Sequence, residues 1–365
     1  MRGARCLKGM NKREEIKRIW SECFDDSPEY VDMYFDRVYN DADGMTLERG
    51  GRVVSSLLLQ KYRLMVQRSE VGMSYIAGAG TRRNARGNGY MSALIVEALG
   101  RSATRGDAVC ALIPANDRLY SYYKRFGFTT VFYADEQRYT SVHAFSTIGK
   151  AAAYRAVDNY YGDDLYDAFR RFECERGGMV VHTRRDFLNI LDDLRMDSDS
   201  QFVAMADDCG RVVSMAWAVQ DVDNVVMVKE LFGEDDDARQ AALRELRRHF
   251  PRRSFRVLAP AGRRSGRLRC RGMARIVNVG KLLEAVAVGN PGWRSAIRVV
   301  DRVMHENNHT YMVEMGSVRV DDCYRGMLDF DVSVEVLCAM TFSDQAMGDI
   351  LGYPSARPHM SLMLD

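Results

Sequence analysis

The sequence predicts an α/β (α+β) protein built from two similar units in tandem and a smaller third one. Three observations carry that reading. At 365 residues the chain has room for two or three domains of about 150 residues each. Gly51-Arg52-Val53-Val54-Ser55 recurs as Gly210-Arg211-Val212-Val213-Ser214, and strand-like runs flank both copies. Each copy is followed by a further strand and then a helix, the layout of a mixed α/β unit.

Composition excludes several classes. Lysine plus arginine is 52 against 50 for aspartate plus glutamate, so the net charge of +2 gives no global pull toward nucleic acid or anionic lipid. With 47% hydrophobic and 28% charged residues the balance is that of a globular chain. No run of eighteen apolar residues occurs and Met1 to Trp20 lacks an apolar signal region. The expectation is therefore no membrane span, no leader and a cytoplasmic location. The eight cysteines stand singly, without the Cys-x-x-Cys spacing of a zinc or redox site, so free thiols and no metal are expected.

The elements follow in order. Glu14 to Phe24 reads as a helix with Ile16, Ile19, Trp20 and Phe24 on one face. The first repeat copy reads as a hairpin, and Val71 to Ala79 as the next strand. A helix follows near Gly89, because Met91, Leu94, Ile95, Ala98 and Leu99 fall on one helical face. Val109 to Pro114 is a strand, Leu119 to Arg125 a helix, and Phe126-Gly127-Phe128 closes the unit. In the second unit Leu165 to Phe172 is helical, Val225 to Leu231 a strand and Ala238 to Phe250 a helix. Arg252 to Arg275 carries nine arginines and no acid. It reads as a solvated boundary; a phosphate or RNA patch is the weaker alternative, since no aromatics interleave. Met273 to Asp365 forms the third unit. Its Asp321, Asp322, Asp329 and Asp331 lack the glycine and terminal glutamate of an EF-hand and read as turn acids.

The chemistry concentrates in 75–128. A strand from Tyr75 to Thr81 runs through a glycine-containing loop into a helix, which is an anion site: N–H groups and the helix dipole converge there. Gly87 and Gly89 let a ligand approach the backbone, and Arg82, Arg83 and Arg86 add positive charge. The spacing is neither that of a P-loop nor of a dinucleotide fingerprint. Arg86-Gly87-Asn88-Gly89-Tyr90-Met91 resembles the pyrophosphate loop of GNAT N-acetyltransferases, with Met91 in place of a small last residue. Two such units and a third small domain, in a chain of this size, resemble the Eis-type (enhanced intracellular survival) N-acetyltransferases.

That resemblance implies domains at 1–130 (acetyl-CoA-binding), 131–262 (a degenerate GNAT-like unit) and 263–365 (sterol carrier protein-like). It implies acetyl-CoA as co-substrate, an aminoglycoside-like, polyamine or lysine amine as acceptor, and a hexamer. Its cofactor residues would be Ala79, Gly80 and Thr81 on the strand, Arg86 to Met91 in the loop, and Asn116. The second unit has Gly233-Glu234-Asp235-Asp236-Asp237 where the first has its basic loop, so no coenzyme A is expected there. By the same resemblance Tyr123 is the acid that protonates the leaving thiolate; Tyr120 and Tyr122 are rivals, and a plain core aromatic is the other reading. The resemblance also places the general base on the terminal α-carboxylate of Asp365, with the Asp365 side chain as a competing carboxylate and a plain solvated tail as the other reading. The competing function is a non-catalytic acyl-CoA-binding or regulatory protein on the same scaffold. The six histidines show no partner motif, and His305 with His309 suggests no metal pair.

Overall fold

The computed structural model describes residues 11–365 except 146–152, 159, 161, 176–177, 197, 221–223, 261–266, 356, 361–362 and 365. The first unit opens with α1 (Lys12–Cys23), capped by Asn11, and α2 (Pro28–Met33), capped by Ser27. Then come β1 (Gly44–Arg49), β2 (Arg52–Val66), β3 (Ser69–Thr81), α3 (Tyr90–Thr104), β4 (Val109–Leu112), α4 (Asp117–Lys124) and β5 (Thr129–Tyr139). The second unit contains β6 (Arg155–Ala156), α5 (Asp163–Glu175), β7 (Val180–Val181), α6 (Arg184–Met196), β8 (Ser200–Ala206) and β9 (Val212–Gln220). It ends with β10 (Val225–Gly233), α7 (Asp236–His249) and β11 (Ser254–Pro260).

The repeat folds as its pattern predicts. Each copy enters the second strand of an antiparallel hairpin, β1/β2 or β8/β9, and the equivalent Ser55 and Ser214 are both fully buried. Each hairpin leads to a strand that runs parallel to the one after the next helix: β3–α3–β4 and β10–α7–β11. The two units share one twelve-stranded sheet, ordered β1-β2-β3-β4-β12-β5-β11-β10-β9-β8-β6, where β12 is Arg267–Ile276, with β7 paired to β2. The fold is thus mixed α/β with tandem GNAT-like units. Leu57, Leu59, Ile76 and Leu112 pack under α3 and α4 on one face. Leu58, Tyr75 and Ala77 pack toward α1 and α2 on the other.

The strand at the centre of that sheet corrects the sequence reading. Arg267–Ile276 (β12) was expected partly as a solvated arginine boundary at the head of the third domain. Instead it pairs antiparallel with β4 on one side and β5 on the other. Its arginines have separate fates. Arg269 pairs with Glu136 at 3.0 Å, whereas Arg275 is fully buried. Arg275 Nη2 lies 2.5 Å from Asp301 Oδ2, and its Nη1 donates to the Phe126 carbonyl. A division at 262/263 therefore separates the first unit from the strand that joins its β4 to its β5.

The remainder is α8 (Val279–Gly289), β13 (Ser295–Val300), β14 (Thr310–Glu314), β15 (Ser317–Val320), β16 (Phe330–Ser333), α9 (Val334–Thr341) and α10 (Gln345–Leu351). Its strands form a separate sheet, β15-β14-β13-β16. The acids singled out there serve as local partners: Asp331 pairs with Arg298, Asp322 with His309, and Asp329 accepts from Ala296 N–H. Among the described residues no helix is long and apolar enough to cross a membrane.

Candidate active site

The site begins where two strands part. β3 and β4 pair in parallel only from Met73/Val109 to Ile76/Leu112. Beyond Ile76, β3 continues for five residues, Ala77 to Thr81, held by β2 on its other side. Between the pairs Leu58/Ala77 and Ser56/Gly80, β3 carries one residue more than β2, a β-bulge. Gly78 makes it possible, with φ +56° and the Trp20 ring packed where a side chain would stand. Gly80 is small for a similar reason: a Cβ there would lie 2.8 Å from Ile19. These two glycines seat α1 against the strand, and the bulge re-aims the backbone of Ala79 to Thr81 along the open edge. The Thr81 hydroxyl is 2.8 Å from that of Ser55, and its carbonyl accepts from Arg86 Nε at 3.1 Å.

The loop then turns into α3. Gly87 (φ +81°) and Gly89 (φ +77°) adopt the left-handed conformation with open space around them. Asn88 braces the turn by donating to the carbonyls of Ala85 and Arg86, at 3.1 and 3.2 Å. Gly89 caps α3 with no side-chain bond and no acid lies in the first turn, so the N–H groups of Tyr90, Met91 and Ser92 carry no side-chain cap among the described residues. Tyr90 stacks under Arg49, and Met91 packs its side chain into the α3 core. Met91 therefore leaves the glycine-lined space clear.

The three arginines do not act alike. Arg82 is held by Glu15 at 2.7 Å, Glu22 at 3.2 Å and the Val53 carbonyl, which spends its charge within the protein. Arg83 donates its backbone N–H to Glu22. Arg86 is exposed, has no carboxylate partner among the described residues, and is the cation best placed for an anion at α3. Glu15 and Glu22 are seven apart in α1, so they share its Arg82-facing side, a spacing visible in the sequence but not used above.

On β4's side, Asn116 caps α4 by accepting from Arg118 N–H, and its amide nitrogen donates to no described residue. Tyr123 is 7% exposed and packs in one cluster with Ile76, Leu112, Ala79 and Phe128. Burial, aided by neighbouring Tyr122, pushes its phenol up to about 12. Its hydroxyl makes no hydrogen bond to a described residue, whereas that of Tyr122 meets Ser92 Oγ at 3.2 Å. Tyr120 is only half-buried, and burial raises its phenol too. Asp365 lies outside the described residues. Leu364 before it is buried at 9% exposure and Met363 partly so, in the core shared with Trp20, Tyr75 and Phe132.

The second unit repeats the geometry without the anion site. β10 and β11 also part after four parallel pairs, Val225/Ser254 to Val228/Val257, and β10 also bulges just beyond. Its helix start is closed, however. Asp235 caps α7 by accepting from Ala238 N–H at 2.7 Å, Asp236 and Asp237 fill the first turn, and Arg239 crosses to the Gly233 carbonyl. Two buried pairs escaped the sequence reading altogether: Glu173 with His182 at 2.5 Å, and Glu230 with His359 at 2.7 Å. Partners 129 residues apart leave no local signal.

Residues 9–131 match the family model of the acetyltransferase (GNAT) domain. Over nearly its whole length the chain shares its fold with several solved structures. One is a conserved protein of unknown function and probable N-acyltransferase from Enterococcus faecalis (TM-score 0.79, 14% identity, 97% of each chain). Another is a GCN5-related N-acetyltransferase from Anabaena variabilis (TM-score 0.75, 16% identity, 95% of this chain and 96% of that one). Eis1 from Mycobacterium abscessus is a third (TM-score 0.68, 16% identity, 95% and 91%). No curated protein matches by sequence. Residues 9–131 thus match the acetyltransferase (GNAT) domain model, and the whole chain has the fold of these solved structures.

Proposed function

We propose that the protein is an acetyl-CoA-dependent N-acetyltransferase of the Eis type, acting on an amine such as an aminoglycoside, a polyamine or a lysine side chain. The observation that carries the reading is the contrast between two equivalent helix starts. α3 presents uncapped N–H groups, two left-handed glycines and Arg86; α7 presents three aspartates. Only the first offers an open helix start for a pyrophosphate, and it stands beside two strands whose pairing ends at Ile76/Leu112, where an extended arm would lie.

When bound, acetyl-CoA supplies the activated acyl group. The protein's own part is to orient, polarise and move protons. The α3 N–H groups and Arg86 hold the diphosphate, and the edge from Ala79 to Thr81 with Asn116 aligns the arm. An amine with pKa near 10.4 is only about 0.04% neutral at pH 7, so the site must deprotonate it or select its neutral form. We assign the deprotonation to Asp365, which follows the buried Leu364. Tyr123 then protonates the departing thiolate. A phenol pushed up to about 12 is fully protonated and ready to donate. The raised value also makes the phenol a weaker acid, so the transfer depends on Tyr123 lying within hydrogen-bond reach of the thiolate sulfur.

The test is acetyl-CoA turnover with a panel of amines, beside calorimetric acetyl-CoA binding. Turnover on any amine supports the proposal. Tight binding without turnover across the panel would favour an acyl-CoA-binding protein instead.

A further inference from the structure

The cleft of the second unit is empty of anion chemistry but not of protein. Where β10 leaves β11, the bulge turns Glu230 inward, fully buried, and its Oε2 lies 2.7 Å from His359 Nε2. His359 belongs to the C-terminal segment, and its backbone is fixed as well. Its N–H donates to the Gly178 carbonyl at 2.6 Å, and its carbonyl accepts from Val180 N–H at 3.2 Å. Pro358 lies against Gly178, and Arg357 stacks over Tyr133 at 5.4 Å.

The next residue reaches the other cleft. Met360 is buried against Gly272 of β12, where a Cβ would stand 3.2 Å from its sulfur and 3.0 Å from the Leu112 carbonyl. Leu112 is the last β4 residue paired with β3 before the first cleft opens. The segment therefore leaves the remnant cleft at His359 and meets the mouth of the working one at Met360. A buried carboxylate on a splayed strand is costly without a partner. Here Oε1 accepts from the neighbouring Leu231 N–H at 3.2 Å, and the tail supplies a side-chain partner to Oε2.

We propose that Glu230 and His359 form a tail clamp: the remnant cleft binds the chain's own C-terminal segment and positions it for the reaction in the first unit. Both are positioning residues. The proposal rests on the reading that a carboxylate of this segment is the general base, and it gives the second unit a task that coenzyme A binding does not.

The experiment uses the full chain with His359→Ala, His359→Gln and, separately, a short extension after Asp365. Amide exchange is followed at Val180 and through 357–364, with acetyl-CoA affinity and kcat measured in parallel. For His359→Ala the clamp requires about tenfold faster exchange in the tail and about a tenfold lower kcat, with acetyl-CoA Kd unchanged within about twofold. Gln can still donate to Glu230, so His359→Gln should recover much of both. Unchanged tail exchange, or a loosened tail with kcat intact, overturns the proposal. If His359→Ala does not fold, the isosteric Glu230→Gln is read by the same criteria. The extension separates the two ideas. If it leaves kcat intact, the base assignment fails while the exchange data still judge the grip. If it abolishes kcat while His359→Ala does not, the clamp alone fails.

Discussion

Replacing Arg86 with glutamate tests the anion site at its most exposed cation. The Arg86 side chain bonds the Thr81 carbonyl and has no carboxylate partner among the described residues, so its loss leaves no described buried charge behind and the fold should persist. Deleting one charge-assisted contact to a phosphate costs about 1.5 kcal/mol at such an exposed position, roughly tenfold in affinity. Placing a carboxylate there adds repulsion of about 1 kcal/mol, since solvent screens the pair strongly. Arg86→Ala should thus weaken acetyl-CoA binding about tenfold and Arg86→Glu about fifty- to a hundredfold, with the difference shrinking at high salt. Arg211→Glu is the control: Arg211 bonds only Asp207 and Glu234 on a turn of the second unit, and binding should not change. Calorimetric titration at two ionic strengths reads all three. Equal losses from Arg86→Glu and Arg211→Glu, or none from either, would refute the one-site reasoning.

Other outcomes follow from the same geometry. Tyr123→Phe removes a hydroxyl with no hydrogen bond to a described residue, so stability should hold while kcat falls about a hundredfold, the lower range for a general acid. Because burial holds that phenol protonated to about 12, the wild-type rate should show no alkaline loss from Tyr123 below about pH 10. Arg275→Met leaves buried Asp301 without its cation and the Phe126 carbonyl without its donor. Urea denaturation should show a loss of about 3–5 kcal/mol, and pairing the change with Asp301→Leu should recover part of it. Burial alone would raise the Asp301 carboxyl, but Arg275, Asn307 and the Met304 N–H lower it overall. A depressed native pKa gives stability that is present above the ordinary value near 3.9 and lost as pH falls through the native one, so acid should weaken this contact in the wild type. A truncation to 1–139 should not fold into a cooperative unit by circular dichroism and thermal melting, since β4 and β5 would lack the strand between them.

Local patterns were legible and long-range pairings were not. The α3 stripe of Met91, Leu94, Ile95, Ala98 and Leu99 depends only on helical periodicity, and four of the five are fully buried. The hairpins at Gly51 and Gly210 were equally local, and so was the acidic cap of α7. β12 was misread because arginines suggest solvent, although Arg267, Arg269 and Arg271 stand at the two-residue period of a strand. Its partners lie more than a hundred residues away, so no window of sequence holds the information. Arg82 was assigned to phosphate for a related reason. The charge was visible, but the pairing with Glu15 and Glu22 follows only once α1 lies across β3.

One duplicated plan has taken two directions, and the sheet shows how they depend on each other. Both units keep the parallel strand pair, the bulge and the parting beyond it, features of backbone that any suitable side chains can serve. At the helix start they diverge: glycines and an exposed arginine in one, aspartates and a bridging arginine in the other. At the parted strands they diverge again, since Ala77 to Thr81 keep an open edge while Glu230 is filled by His359. A duplicate free of its ligand would be free to lose its cleft, yet this one retains it around a buried charge. A carboxylate kept at full burial needs partners, and the tail supplies a side-chain one six residues from Asp365. Losing ligand chemistry in the second unit and anchoring the tail for the first are therefore compatible steps, because the same vacated space serves both.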